Sequence, residues 1–313
     1  MNDSIAIVFP GQGSQSLGMS SALAEAFPLV RRLYEEASDA LGLDLWKLVD
    51  QGPAEALDRT ENTQPAMLTA GVAAWRVWKE QGGATPAVMA GHSLGEYSAL
   101  VAAEALDFAD AVKLVAARGR FMQEAVPDGS GAMAAILGLE DEQVRDLCAV
   151  AAADGVVEAV NFNSPGQVVI AGEKEAVGRA MELAKERGAK RALPLPVSVP
   201  SHCALMKPAA QRLAEALGDV QLRPPSIPVL HNVDVAEAES VASLREKLVE
   251  QLYSPVRWVE TIQAMAGRGV EKIVEAGPGK VLTGLGRRID KKLEFLPVFD
   301  PASLEKALEV THV

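Results

Sequence analysis

Gly91-His92-Ser93-Leu94-Gly95 is a Gly-x-Ser-x-Gly turn set between an apolar strand-like run at 87–90, after the breaker Pro86, and a helix-like run at 96–106. A strand that bends sharply into a helix leaves no room for side chains on its flanks. Glycine is therefore expected on both sides, and the serine hydroxyl is carried out of the sheet. That position makes Ser93 reachable by a base. The following amide, on Leu94, opens a helix and is disposed to bind negative charge developing on an oxygen. A glycine-rich turn with an idle serine is the plain alternative; the strand–turn–helix context favours a nucleophile.

Working outward, a strand is expected at 5–9, leading into the turn Pro10-Gly11-Gln12-Gly13-Ser14, with helices over 23–41, 64–82 and, beyond the elbow, 108–126. The cluster Pro127-Asp128-Gly129-Ser130-Gly131 breaks the pattern and marks a boundary. Past it come a strand at 132–137, a helix at 141–153, strands at 156–162 and 167–171 around Asn163-Ser164-Pro165-Gly166, a helix at 173–188 and an extended run at 191–197. This β-α-β-β-α-β order is the ferredoxin-like arrangement. The expected organisation is an α/β domain built from 1–127 and 198–313, with 128–197 inserted as a ferredoxin-like subdomain. The larger unit resumes with helices at 205–217, 241–252 and 282–289 and strands at 228–232, 272–275 and 293–297. Gly277-Pro278-Gly279 reads as an ordinary strand-to-helix turn.

At 313 residues the chain is long enough for a large core, and its 49% hydrophobic and 23% charged residues describe a soluble globular protein. Uninterrupted apolar runs of about 18 residues, the length a transmembrane helix needs, are absent, so no membrane association is expected. The start, Met1-Asn2-Asp3-Ser4, lacks the basic segment of a signal peptide, so none is expected, and the low cysteine content makes a reducing cytoplasm the expected home. Cys148 and Cys203 are the two cysteines and offer neither a disulfide framework nor zinc-ligand spacing, so no metal is expected. A formal net charge of −12 disfavours nucleic acid as a partner.

A serine hydroxyl needs a neighbouring base to become a good nucleophile. Of the four histidines, His92 adjoins Ser93 on the bend, so its ring should point away, and His312 lies at the terminus. His231 follows a buried-looking strand. His202, in Val199-Pro200-Ser201-His202-Cys203, falls just after the domain boundary, where clefts form. Position puts His202 ahead of His231 and leaves both open. Acids between Ser93 and His202 include Asp107, Asp110, Asp128, Asp141, Asp146 and Asp154, yet none occupies the strand-end turn a standard α/β-hydrolase would use. Something other than a carboxylate is then expected to orient the imidazole.

On the helix at 108–126, Ala111, Val115 and Met122 share one face, and Arg118 lies on it while Arg120 points away. A buried guanidinium needs a partner. Periodicity leaves two possibilities, a structural ion pair and a bidentate clamp for a substrate carboxylate. Gly11-Gln12-Gly13 suggests a dinucleotide loop, but Ser16 stands where the third glycine belongs, so that reading is rejected. The loop is better suited to bring Gln12 or its amide over the nucleophile.

Together these residues resemble the malonyl-CoA:acyl carrier protein transacylases of bacterial fatty acid synthesis. The resemblance runs through Phe9–Gln15, Gly91–Leu100, Arg118-Gly119-Arg120, Asn163–Gln167, Val199–His202, Gln251-Leu252-Tyr253 and Glu275–Gly279. It implies an α/β-hydrolase-like large domain with a mostly parallel sheet and a ferredoxin-like insertion. It further implies Ser93 as nucleophile, His202 as base oriented by the Gln251 carbonyl, and Gln12 and Leu94 as oxyanion amides. Arg118 would pair with the malonyl carboxylate, and Asn163 would line the cleft. The implied substrates are malonyl-CoA and the phosphopantetheine thiol of acyl carrier protein, with no cofactor of the enzyme's own, and a monomer is expected. Carrier proteins of this kind are acidic. Two basic clusters, Lys185/Arg187/Lys190/Arg191 and Arg287/Arg288/Lys291/Lys292, are therefore candidate docking patches or plain solvated helix ends. A serine thioesterase and a non-catalytic binding module are the competing classes. Arg118 and the missing acid weigh against the first, and an activated serine at an elbow against the second.

Overall fold

A computed structural model describes residues 2–153, 155–197 and 199–311, with backbone only for Asn2 and Asp3. In chain order the strands are β1 (Asn2–Phe9), β2 (Pro86–Gly91), β3 (Gly131–Leu137), β4 (Val157–Ser164), β5 (Gln167–Glu173), β6 (Arg191–Pro194), β7 (Val229–Leu230), β8 (Lys272–Ala276) and β9 (Glu294–Val298). They form two sheets, one of five strands in the order β7-β2-β1-β8-β9 and one of four in the order β4-β5-β3-β6. Every pairing in the first is parallel and every pairing in the second antiparallel. The chain is an α/β protein.

The continuous apolar run of β1 explains its central place, because a parallel strand covered by helices on both faces has no solvent side. Residues Ile5 through Phe9 are all fully buried. Ile5, Ile7 and Phe9 join the core under the helices Pro28–Leu41, Thr60–Glu80, Phe108–Glu124 and Lys207–Gly218, while Ala6 and Val8 join a second core with Trp258, Ile262, Leu282 and Leu285. In the four-stranded sheet, one face packs on the helices Asp141–Ala152 and Lys174–Glu186. The other face places Met133, Val160, Val169 and Ala171 against Cys203, so this sheet packs beside the residue that follows His202.

Several local expectations are corrected. The helix expected over 23–41 is two helices, Ser21–Ala26 and Pro28–Leu41, because Phe27 is extended (φ −130°, ψ 102°) and Pro28 starts the second. The elbow helix stops at Ala102, since Glu104 takes a left-handed φ of +61°. Strand β7 is only Val229–Leu230, so His231 and Asn232 leave the sheet at its edge. His312 and Asp154, weighed from the sequence, lie outside the described residues.

Candidate active site

Because β7, β2 and β1 are parallel neighbours, their carboxyl ends open on the same edge, and the loops after them adjoin. Those loops carry His231-Asn232, the elbow at Ser93, and Gln12. The elbow glycines are required by contact: a Cβ on Gly91 would fall on the backbone of Gly95, and one on Gly95 would fall on the Phe9 carbonyl. Ser93 itself sits at φ +50°.

His202, at φ +66°, donates its backbone N–H to Leu252 O (3.0 Å), and its ring bridges two partners. Nδ1 lies 2.7 Å from Gln251 O and Nε2 lies 2.7 Å from Ser93 Oγ. A carbonyl only accepts, so Nδ1 carries the proton and Nε2 offers its lone pair to the serine hydroxyl. The partner that orients the imidazole is a main-chain carbonyl. His231 is committed elsewhere, with Nδ1 2.8 Å from Glu96 Oε1 in a buried pair, and that removes it as an alternative base for Ser93.

Burial, and next the Arg118 cation, push the His202 imidazole down from 6.5 to about 3. The imidazole is thus neutral throughout the ordinary pH range. The acylation rate measured between pH 5 and 8 should show no acid limb near 6.5, and a limb there would contradict this geometry. Stability has the opposite sign of concern: between about pH 6.5 and 3 the unfolded chain binds the proton that the folded chain refuses. The His202 contribution is therefore intact above 6.5 and lost as pH falls through that window.

Arg118 is buried on the apolar face of Phe108–Glu124, together with Ala111, Val115 and Met122. Its polar contacts correct the ion-pair possibility. Nη1 donates to Gln64 Oε1 (2.9 Å) and Nη2 to Gln251 Oε1 (3.0 Å), both neutral amides, and Nη2 also reaches Ser93 Oγ at 3.5 Å. The guanidinium lies over the Tyr97 ring, 5.4 Å from its centre. Gly119 makes this possible, because a Cβ there would be 2.7 Å from Glu61 Cα; without one the helix Thr60–Glu80 comes close enough to present Gln64. A desolvated cation held by dipoles beside the Ser93 hydroxyl is arranged to meet an anion from the cleft.

That cleft, about 460 Å³, is lined by Gln12, Ser93, Leu94, Arg118 and His202 from one side and by β3, β4 and the 195–197 segment from the other. Gln12 holds the rim through Nε2 to Thr60 Oγ1 (3.4 Å). In the elbow, the amides of Gly95, Glu96 and Tyr97 donate to the carbonyls of His92, Ser93 and Leu94. The amide of Leu94 has no such backbone acceptor among the described residues. Asn163 is not on the cleft wall. Its Oδ1 lies 2.8 Å from His92 Nε2, and it is His92 and Asn161 that line the cleft. Register shifts in β4, between Ala159 and Asn161 and again between Phe162 and Ser164, break the simple alternation that would put 161 and 163 on one face. Gln64, Asn232 and the Gln251 side chain went unnoticed in the sequence. A buried amide in the apolar run Gln64-Pro65-Ala66-Met67-Leu68 was the available signal for the first.

A sequence model of the acyl transferase domain matches residues 6–294. The chain is 58% identical over 305 residues to a malonyl CoA-acyl carrier protein transacylase of Escherichia coli K12, covering 97% of this chain and 99% of that one. The crystal structure of an acyl carrier protein S-malonyltransferase from Vibrio cholerae superposes with a TM-score of 0.95 at 59% identity, covering 97% of this chain and 99% of that one. A malonyl-transacylase solved in complex with a type II PKS acyl carrier protein superposes with a TM-score of 0.97 at 58% identity, covering 98% and 99%. The fold and the match define an acyltransferase. Within that class the chain belongs to the malonyl CoA-acyl carrier protein transacylase family.

Proposed function

We propose that the chain transfers the malonyl group from malonyl-CoA to the phosphopantetheine thiol of acyl carrier protein through a malonyl ester on Ser93. The observation that carries this reading is the buried Arg118 cation, held by two neutral amides and facing the cleft beside Ser93 Oγ. His202 Nε2 takes the hydroxyl proton as Oγ attacks the thioester carbonyl. The amides of Gln12 and Leu94 receive the charge on the carbonyl oxygen, and Arg118 holds the distal carboxylate. The C–S bond then breaks, and the proton on His202 passes to the departing coenzyme A sulfur. In the second half the carrier thiol gives its proton to His202 and attacks the ester, and Ser93 Oγ recovers a proton as it leaves. Every proton is accounted for by the imidazole, so the scheme calls on no metal or redox group.

In this reading residues 128–197 are an inserted ferredoxin-like subdomain, supported by their antiparallel strand order, and the parallel unit is α/β-hydrolase-like. The protein acts as a cytoplasmic monomer. Asn163 serves the cleft indirectly, by holding His92. The carrier docks through the basic clusters, of which Arg287 and Arg288 are already engaged, with Phe295 O and Gln167 Oε1.

The test is intact mass after incubation with malonyl-CoA, then after addition of phosphopantetheinylated carrier protein, with Ser93→Ala as control. The native chain should gain one malonyl group and lose it to the carrier, more slowly at high salt. Loss as free malonate regardless of carrier would identify a thioesterase, and no adduct would reject the scheme.

A further inference from the structure

At φ +50°, Ser93 occupies a region that costs an L side chain roughly 1–2 kcal/mol, so its surroundings must hold it there. A buried polar ring does this. Ser93 N–H donates to Asn232 Oδ1 (2.8 Å), Asn232 N–H to Glu96 Oε2 (2.8 Å), and Glu96 N–H back to Ser93 O (3.0 Å). Asn232 Nδ2 also donates to Gly91 O (2.7 Å), so one amide spans both sides of the nucleophile turn. The second oxygen of Glu96 is taken by His231 Nδ1. A single carboxylate, itself fully buried, therefore fixes both residues that leave β7, and through Asn232 it fixes the elbow.

We propose that Glu96 is a positioning residue for acyl transfer: through Asn232 it sets the direction of Ser93 Oγ toward His202 and ties the Ser93 amide away from the oxyanion site. The inference rests on the reading of Ser93 as nucleophile. Glu96 also adds negative charge near Arg118 and Tyr97, so position and charge must be separated. Glutamine does so. Its oxygen would still accept from Asn232 N–H, and its amide would donate to His231 Nδ1 in the other tautomer. His231 Nε2 has no hydrogen-bond partner among the described residues, so no contact there opposes the change.

The experiment is single-turnover acylation by malonyl-CoA, followed by rapid-quench intact mass across malonyl-CoA concentrations. The set is the native chain, Glu96→Gln, Glu96→Ala, Asn232→Ala and Ser93→Ala. Both Glu96→Ala and Asn232→Ala should slow the acylation step about 10- to 100-fold, the loss of charge-assisted or paired hydrogen bonds, with little change in half-saturating malonyl-CoA. Glu96→Gln should recover most of that rate. Native rates in the alanine variants, a loss carried by half-saturation alone, or a glutamine variant as slow as alanine would each overturn the proposal. Should an alanine variant fail to fold, Asn232→Asp keeps the acceptor for Ser93 and loses the donor to Gly91; it should acylate at about a tenth of the native rate, and a native rate overturns the proposal. Absence of acylation in the native chain would instead reject the nucleophile reading.

Discussion

Arg118→Ala lowers the rate of malonyl transfer by about 100- to 1,000-fold and leaves acetyl transfer within about tenfold of native. Truncating one member of a buried, hydrogen-bonded charge pair costs about 2–5 kcal/mol, and in the proposed clamp only malonyl brings a carboxylate to pair with Arg118. The ratio of the two rates is the decisive quantity, because partial misfolding depresses both alike and cancels. Arg118→Lys should restore little, since Gln64 Oε1, Gln251 Oε1 and a carboxylate together call for a planar fork, whereas an ammonium is a point charge. Equal loss for malonyl and acetyl would end the clamp reading. The substitution has a second signature. The Arg118 cation helps to hold the His202 imidazole low, so its removal moves any acid limb of the residual rate upward, toward 6.5.

His202→Ala lowers Ser93 acylation by about 1,000- to 10,000-fold, the upper part of the range for a positioned general base. Ser93 Oγ keeps its 3.5 Å contact with Arg118, a donor that cannot take a proton, so its remaining hydrogen-bond neighbour among the described residues does not replace Nε2. The residual rate should then climb with pH as hydroxide ionises the serine, while the native rate shows no comparable rise. Rates with malonyl-CoA from pH 6 to 9 check both points. A variant within tenfold of native would show that Ser93 is activated by another group. Stability is a smaller matter, because the change leaves Gln251 O buried without its donor, at a cost of about 1–3 kcal/mol.

Much of this site is local in sequence. Gly91 and Gly95 declare the elbow because the motif is written in five contiguous residues, although only the Gly91 demand is local; a Cβ on Gly95 would meet the distant Phe9 carbonyl. The buried face of Phe108–Glu124 declares Arg118 because a helix repeats every ~3.6 residues whatever lies beyond it. The partners of those residues are distant. Gln64 and Gln251 lie 54 and 133 positions from Arg118, and although an apolar run flags Gln64, nothing in a linear reading pairs either amide with the guanidinium. Asn163 shows the same limit, since the bulges of β4 shift which side chain reaches the cleft.

The sequence by itself determined the strand-to-helix elbow at Ser93, the out-of-place arginine and the alternation of strands and helices, because each shows as a pattern among a few neighbouring residues. The residues by themselves left His202 and His231 open and only the resemblance implied a carbonyl at Gln251; the tertiary structure sets His202 Nε2 on Ser93 Oγ and Nδ1 on Gln251 O, rests Arg118 on amides and links Glu96 and Asn232 to the elbow. Those choices follow from which strands pair. A parallel sheet ordered β7-β2-β1 brings three loop ends to one edge, and that convergence is a property of long-range pairing that no segment carries alone.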